Sequence, residues 1–259
     1  MTAGALTSLA PLTYGSYSTS WISVERHELQ LPKWDADGFR VAVLADLHAN
    51  TSDEGVQAAN AIRIAIAEKP DLIAIPGDFV NRCTFEYLEY LRQALEPLHD
   101  AECPVVATLG NHDYATHEVS KIFYMAQSAS ATVLRNEAIE VSGVTVAGID
   151  DGLFGKHRFG FLNDENQSRS VLALFHEPDF VKYVPEKVSL QLSGHSHGGQ
   201  ICLPGGRSLH TPVGALKYIS GYYPKAKVPL YVTRGVGTVG PRLRLFCRPE
   251  VTVLTLRSA

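Results

Sequence analysis

The sequence predicts an α/β fold: one domain with two facing sheets and helices outside. Two patterns carry that expectation. The first half alternates apolar strands with helical stretches in the order β-α-β-α-β, which implies a parallel sheet with right-handed crossovers. The second half is a run of short strands with Gly and Pro between most of them, which suggests a second, more mixed sheet packed on the first. At 259 residues, 45% apolar and 19% charged, the chain has enough core for one large domain. That composition excludes a disordered polymer, a collagen-like repeat and a coiled coil.

The elements follow in order. Residues 40–46 form a continuous apolar run ending at Asp46, as a buried strand does when its carboxyl end carries chemistry. Residues 53–68 place Val56, Ala59, Ile62 and Ile66 at helical spacing, and Pro70 stops that helix. A second buried strand spans 71–78 and again ends at an acid, Asp78. Residues 84–98 read as a helix with Thr84 as its N-cap, and 104–110 as a third strand. Short strands are then expected at 131–134, 138–141, 144–149, 171–175, 190–192, 230–233, 243–247 and 251–256.

Residues 1–22 are expected to be a flexible N-terminal segment, and 23–259 the folded domain. No charged residue occurs before Glu25, but the basic region of a complete signal peptide is lacking. A trimmed leader or anchor, or a free start, both fit. No run of eighteen apolar residues exists. Cys83, Cys103, Cys202 and Cys247 are scattered without a C-x-x-C pair, so free thiols are expected rather than a disulfide framework or a zinc-thiolate knot. The net charge of −4 is unevenly spread: residues 205–259 carry +8 and the rest −12. An anionic partner for the basic quarter and a merely solvated basic face both account for that split.

The predicted strand ends share one chemistry. The first runs into Asp46-Leu-His48, the second into Gly77-Asp78, the third into Gly110-Asn-His-Asp113; later strands run into His176 and Gly194-His-Ser-His197. In open α/β sheets, sites form at the carboxyl ends of strands, so these side chains are expected in one crevice. Carboxylates and imidazoles without thiolates suit Mn, Fe or Zn. Seven such ligands exceed one tetrahedral ion and fit two ions sharing a bridging aspartate. Such a pair is a clamp for in-line attack at phosphorus by a metal-bridging hydroxide, with a nearby histidine serving the leaving oxygen.

In these five ordered blocks, covering roughly residues 38–256, the chain resembles the calcineurin-like metallophosphoesterases. The resemblance implies a four-layer α/β/β/α sandwich of two facing mixed sheets and a metal-dependent phosphoric ester hydrolase. It implies that Asp46, His48 and His197 hold one metal, that Asn111, His176 and His195 hold the other, and that Asp78 bridges them. His112 would contact the phosphoryl oxygen or leaving group, and Asp113 would orient His112 or support its loop. The flanks Phe175-His-Glu-Pro-Asp179, Ser193 to Pro204 and Thr233 to Gly240 resemble the bacterial branch that includes YkuE and YaeI phosphodiesterases and a UDP-2,3-diacylglucosamine pyrophosphatase. Members often begin with an export signal or anchor. That points to the bacterial cell envelope or a membrane-associated location, with the cytoplasm left open.

One departure bears on function. Protein-phosphatase relatives carry Gly-Asp-x-Val-Asp-Arg-Gly, where this chain has Gly77-Asp-Phe-Val-Asn81-Arg82-Cys83. Asn81 offers no carboxylate to His112, which demotes that reading. The expected reaction is cleavage of a phosphodiester or pyrophosphate, on a lipid-linked or nucleotide-sugar substrate. Alternatives are a phosphomonoesterase or nuclease of the same fold, and last an inactive interaction scaffold. Residues 153–162 and 216–223 mix aromatic with basic side chains, which suits the covering of a sheet edge or an anionic membrane surface. The acidic bulk of the chain argues against a nucleic-acid partner.

Overall fold

The computed structural model describes Gly15 and residues 18–83, 86–163 and 169–259. The expected Thr84 cap and most of the uncharged leading segment lie outside the described residues. In chain order the first elements are β1 (Ser23–Leu31), β2 (Phe39–Val43), α1 (Ser52–Ala67), β3 (Leu72–Pro76), α2 (Tyr87–Leu95), β4 (Val105–Thr108), α3 (Asn111–Ala115), α4 (Val119–Ser128) and β5 (Ala131–Val133). They are followed by β6 (Glu137–Val141), β7 (Val144–Gly148), β8 (Val171–Leu174), β9 (Leu190–Ser193), β10 (Gly221–Tyr223), β11 (Leu230–Val232) and β12 (Glu250–Ser258).

Two six-stranded sheets result, ordered β1-β12-β2-β3-β4-β5 and β10-β11-β9-β8-β7-β6. Strands β2 to β5 are parallel, as crossovers through helices require. Strand β12 enters antiparallel to β2 and parallel to β1. The second sheet is parallel through β7, β8, β9 and β11, with antiparallel edges β6 and β10.

The alternation of side chains sorts each strand onto two faces. Ala42, Ile73, Ile75, Val105 and Ala107 face α1, α2 and α4. Val41, Val43, Leu72, Ala74 and Val106 face Val146, Leu172, Leu174, Leu190 and Leu192 of the other sheet. The outer face of the second sheet is covered by 3-10 turns at Gly160–Asn163 and Pro178–Tyr183 rather than by long helices. Helix α1 opens on Thr51, whose hydroxyl accepts from Glu54 N at 3.3 Å. Its inner face is Ala58, Ala61, Ile62 and Ala65, small enough to lie close against the sheet.

Two expectations change. Strands 131–134 and 251–256, expected in the second sheet, join the first; periodicity sets which face is buried but not which sheet a strand enters. Residues 243–247 form no strand: among them only Leu245 bridges, to Ile201. The Leu/Arg alternation there is misleading, because Arg244 points inward and is fully buried. In residues 153–162, Phe159 and Phe161 pack against the core outside the second sheet, while Phe154, Lys156 and Arg158 are exposed. Of the unanticipated elements, α4 supplies the crossover into β5.

Candidate metal centre

The loops after β2, β3, β4, β8 and β9 converge at one edge of the interface between the sheets. Their backbones are held in a costly conformation. Asp46, His48, Asp78, His195 and His197 all have positive φ, between 47° and 68°. Each costs on the order of 1 kcal/mol or more, and such residues persist only where the surroundings fix them. Glycines make the close approach: a Cβ at Gly110 would sit 2.3 Å from Asp78 Oδ1, and one at Gly235 2.5 Å from Asp46 Oδ2.

The side chains form two groups, each offering ligand atoms within 4.8 Å of one another: Asp46, His48 and His197, and Asp78, His176 and His195. In the first, His48 Nε2 lies 3.1 Å from His197 Nε2 with the rings stacked. Asp46 Oδ1 lies 3.7 Å from His197 Nε2. In the second, His176 Nε2 is 3.2 Å from Asp78 Oδ2. The groups meet at the aspartates. Asp78 Oδ2 is also 3.6 Å from His48 Nε2, and Asp46 Oδ1 is 4.0 Å from His176 Nε2. Asn111, at the start of α3, lines the cavity in front of them together with His112, His195 and His197.

Hydrogen bonds fix which atoms face inward. His176 Nδ1 bonds the Pro76 carbonyl at 2.7 Å, so Nε2 is turned to the aspartates. His195 Nε2 bonds the Val213 carbonyl at 2.9 Å, which leaves Nδ1 free. The His195 amide donates to both Asp46 oxygens, at 3.0 and 3.1 Å. Burial pushes His48 down to about 3 and His195 down to about 4, and holds His197 well below the usual imidazole range. All three are therefore neutral donors at pH 7. Burial also pushes Asp46 up to about 7. At Asp78 burial works upward, but His176, His48 and His112 outweigh it and hold the carboxyl well below its usual range. At His176 burial works downward and is outweighed by Asp78, so its pKa is raised.

The set fits a pair of cations. Asp78 Oδ2, His176 Nε2 and Asn111 Oδ1 are buried without an aligned hydrogen-bond partner, an expensive arrangement in a closed fold. Two imidazole nitrogens facing each other across 3.1 Å need a proton or a metal between them. The donors are oxygen and nitrogen only, suited to Mn, Fe or Zn.

His112 stands beside this centre, its ring 5.1 Å from that of His48. Its Nδ1 bonds the backbone carbonyl of Asn81 at 3.0 Å. The missing carboxylate at position 81 is thus replaced by main chain as the orienting group. Asp113 does not touch the His112 ring. Its carboxyl accepts the amides of Gly110, Asp78, Phe79 and Val80 at 2.9–3.2 Å, tying the second and third loops together. Burial pushes its pKa up to about 8, with the Asp78 charge adding, against the pull of these donors. Arg82 is exposed and lines a separate depression with Asn50 and Glu54.

Three residues escaped sequence reasoning. Arg244 bonds the His197 carbonyl at 3.3 Å, Gly237 O at 2.7 Å and Arg234 O at 2.9 Å, bracing the loops over Asp46. No sequence signal marked it, since Arg242-Leu-Arg-Leu245 reads as part of a strand. Glu177 is fully buried and accepts from Gly152 N at 2.9 Å. Asp179 accepts the amides of Leu216, Lys217 and Tyr218, holding the loop whose Val213 carbonyl anchors His195. Both lie in the Phe175–Asp179 block, whose charged pair after His176 was the available signal.

A cavity of about 430 Å³ opens over the centre. Its lining combines Asn111, His112, His195 and His197 with apolar Ile201, Leu209, Pro212, Val239 and Pro241, and Gln200 and His210 lie among them.

The family model "Calcineurin-like phosphoesterase" matches residues 39–199. The chain is 35% identical over 244 residues to "Phosphodiesterase YaeI" of Escherichia coli (strain K12), covering 91% of this chain and 88% of that protein. It is 30% identical to "Uncharacterized metallophosphoesterase YkuE" of Bacillus subtilis (strain 168), covering 100% and 94%. It is 26% identical to "UDP-2,3-diacylglucosamine pyrophosphatase LpxG" of Chlamydia muridarum, covering 90% and 88%.

Proposed function

The chain belongs to the calcineurin-like phosphoesterases, metal-dependent phosphoric ester hydrolases with a dinuclear metal centre, and we propose that it cleaves a phosphodiester or pyrophosphate bond in a substrate with an apolar, lipid-like part. The observation that carries the chemistry is Asp78 Oδ2, set between His48 at 3.6 Å and His176 at 3.2 Å, within reach of both ligand groups.

Asp46, His48 and His197 would hold one ion and Asn111, His176 and His195 the second, with Asp78 within reach of both groups. Two such ions, when bound, acidify water and draw charge from the phosphoryl oxygens. The remaining work belongs to the chain. Asn81 O holds the His112 ring by Nδ1, so that Nε2 serves the leaving oxygen or a phosphoryl oxygen. Arg244 fixes the His197 carbonyl and the glycine loop over Asp46, keeping the ligands in register. Buried loops exclude bulk water from the ligand side chains.

The polar lining residues of the cavity suit the phosphate, and the apolar ones suit an acyl or similar group. The pyrophosphatase name of the chlamydial relative, given to a lipid-linked nucleotide sugar, favours the same class. The test begins with metal-stripped protein and bis-p-nitrophenyl phosphate, with Mn, Fe or Zn restored singly. A panel of p-nitrophenyl phosphate, cyclic nucleotides and UDP-diacylglucosamine-type pyrophosphates follows. Diester or pyrophosphate hydrolysis that returns with metal is expected; hydrolysis of monoesters alone would replace this reading with a phosphomonoesterase.

A further inference from the structure

We propose that residues 201–218, at the mouth of the metal-centre cavity, form a docking surface for an anionic lipid bilayer; this rests on the lipid-substrate reading above. The segment displays Leu203, Leu209, Val213 and Leu216 at 42%, 61%, 70% and 64% exposure. Four large apolar side chains exposed within fourteen residues of surface loop are an apolar display of the kind that marks an interaction site.

These side chains are not exposed through looseness. The first arm is a tight hairpin. Leu203 N bonds Arg207 O at 2.9 Å and Leu209 N bonds Ile201 O at 3.2 Å, around a turn in which Gly205 and Gly206 have φ of 94° and 82°. The second arm is tied by Asp179 to the amides of Leu216, Lys217 and Tyr218, with Ala215 buried beneath. A backbone this well satisfied presents its apolar tips at no further ordering cost.

Charge selects the partner. No Asp or Glu occurs between Glu186 and Glu250, and Arg207 and Lys217 are exposed within the segment itself. A second copy would bring these cations together with no acid in the segment to pair them. An anionic bilayer meets both needs, taking the apolar tips at its boundary and the cations at its headgroups. Gly15 meets the fold at the same edge. Gly15 O accepts from Arg244 N at 3.1 Å, while the neighbouring Leu245 O accepts from Cys202 N at 2.9 Å. Leu209 and Pro212 also line the cavity, so a docked bilayer lies beside its apolar lining residues. A lipid-borne phosphate would then reach the centre without its acyl part crossing water.

The test is co-sedimentation of the full chain with phosphatidylcholine vesicles with and without phosphatidylglycerol, at 0.1 and 1 M salt. Two variants are compared, Leu203→Gln/Leu216→Gln and Arg207→Gln/Lys217→Gln, and bis-p-nitrophenyl phosphate turnover is followed in solution for each. The native chain is expected to bind the anionic vesicles and to lose most of that binding in high salt, where the screening length falls from about 10 to about 3 Å. Each lost cation should weaken binding about fivefold. The leucine pair should weaken it at least as much as the cation pair, with soluble turnover unchanged in both. Absence of native binding, unweakened binding by the leucine variant, or a native dimer that the leucine variant abolishes would overturn docking. Absence of turnover in the native chain with binding intact would instead overturn the hydrolase reading and leave docking standing.

Discussion

Asp113→Asn tests the framework under the metal centre. Each Asp113 oxygen accepts two amides: Oδ1 those of Phe79 and Val80 at 3.0 and 3.2 Å, Oδ2 those of Asp78 and Gly110 at 3.1 and 2.9 Å. Asparagine keeps one oxygen. Its NH2 then faces two N–H donors, which are left buried and unpaired whichever way the amide is turned. An orphaned buried donor costs about 1–3 kcal/mol, so the substitution should cost roughly 4 kcal/mol. For a chain of this size that lowers Tm by about 8–16 °C. Thermal unfolding followed by circular dichroism, on metal-stripped protein at pH 9, where Asp113 is ionised, reads the difference directly. A loss under about 1 kcal/mol would show that these amides do not depend on a carboxylate, and the argument from the four donors would fall.

Three further outcomes follow from the site. Asp78→Asn should lose bound metal and turnover together, by roughly 10³-fold in kcat, as read by elemental analysis and diester hydrolysis; full metal retention would remove Asp78 from the bridge. His112→Ala should keep the metals while kcat falls by about 10²-fold or more, and metal loss instead would make His112 a ligand. Because Asp78 raises the His176 pKa in the metal-free protein, His176 carries a proton near neutral pH that a metal must displace. Titration calorimetry in PIPES and in Tris should then give different apparent binding enthalpies, reflecting the proton of His176 together with the partial proton of Asp46, whose pKa is about 7; identical enthalpies would refute it.

The order Asp46, His48, Asp78, Asn111, His112, His176, His195, His197 was legible because each residue follows a strand whose apolar run is written in the sequence. Local pattern fixes a strand, and a parallel sheet sends its carboxyl ends one way. The αβ alternation was legible for the same reason. Which sheet takes β5 and β12 was decided only in three dimensions, since both faces of either sheet demand the same apolar side chains. The roles of Arg244 and Asn81 were also decided there. Arg244 works through backbone carbonyls, and the Asn81 carbonyl does what its side chain does not, and a main-chain acceptor has no letter in a sequence. Residue types thus determined the chemistry available to this protein; the meeting of strand ends determined which atoms share it, because contact between distant segments depends on packing that no local pattern encodes.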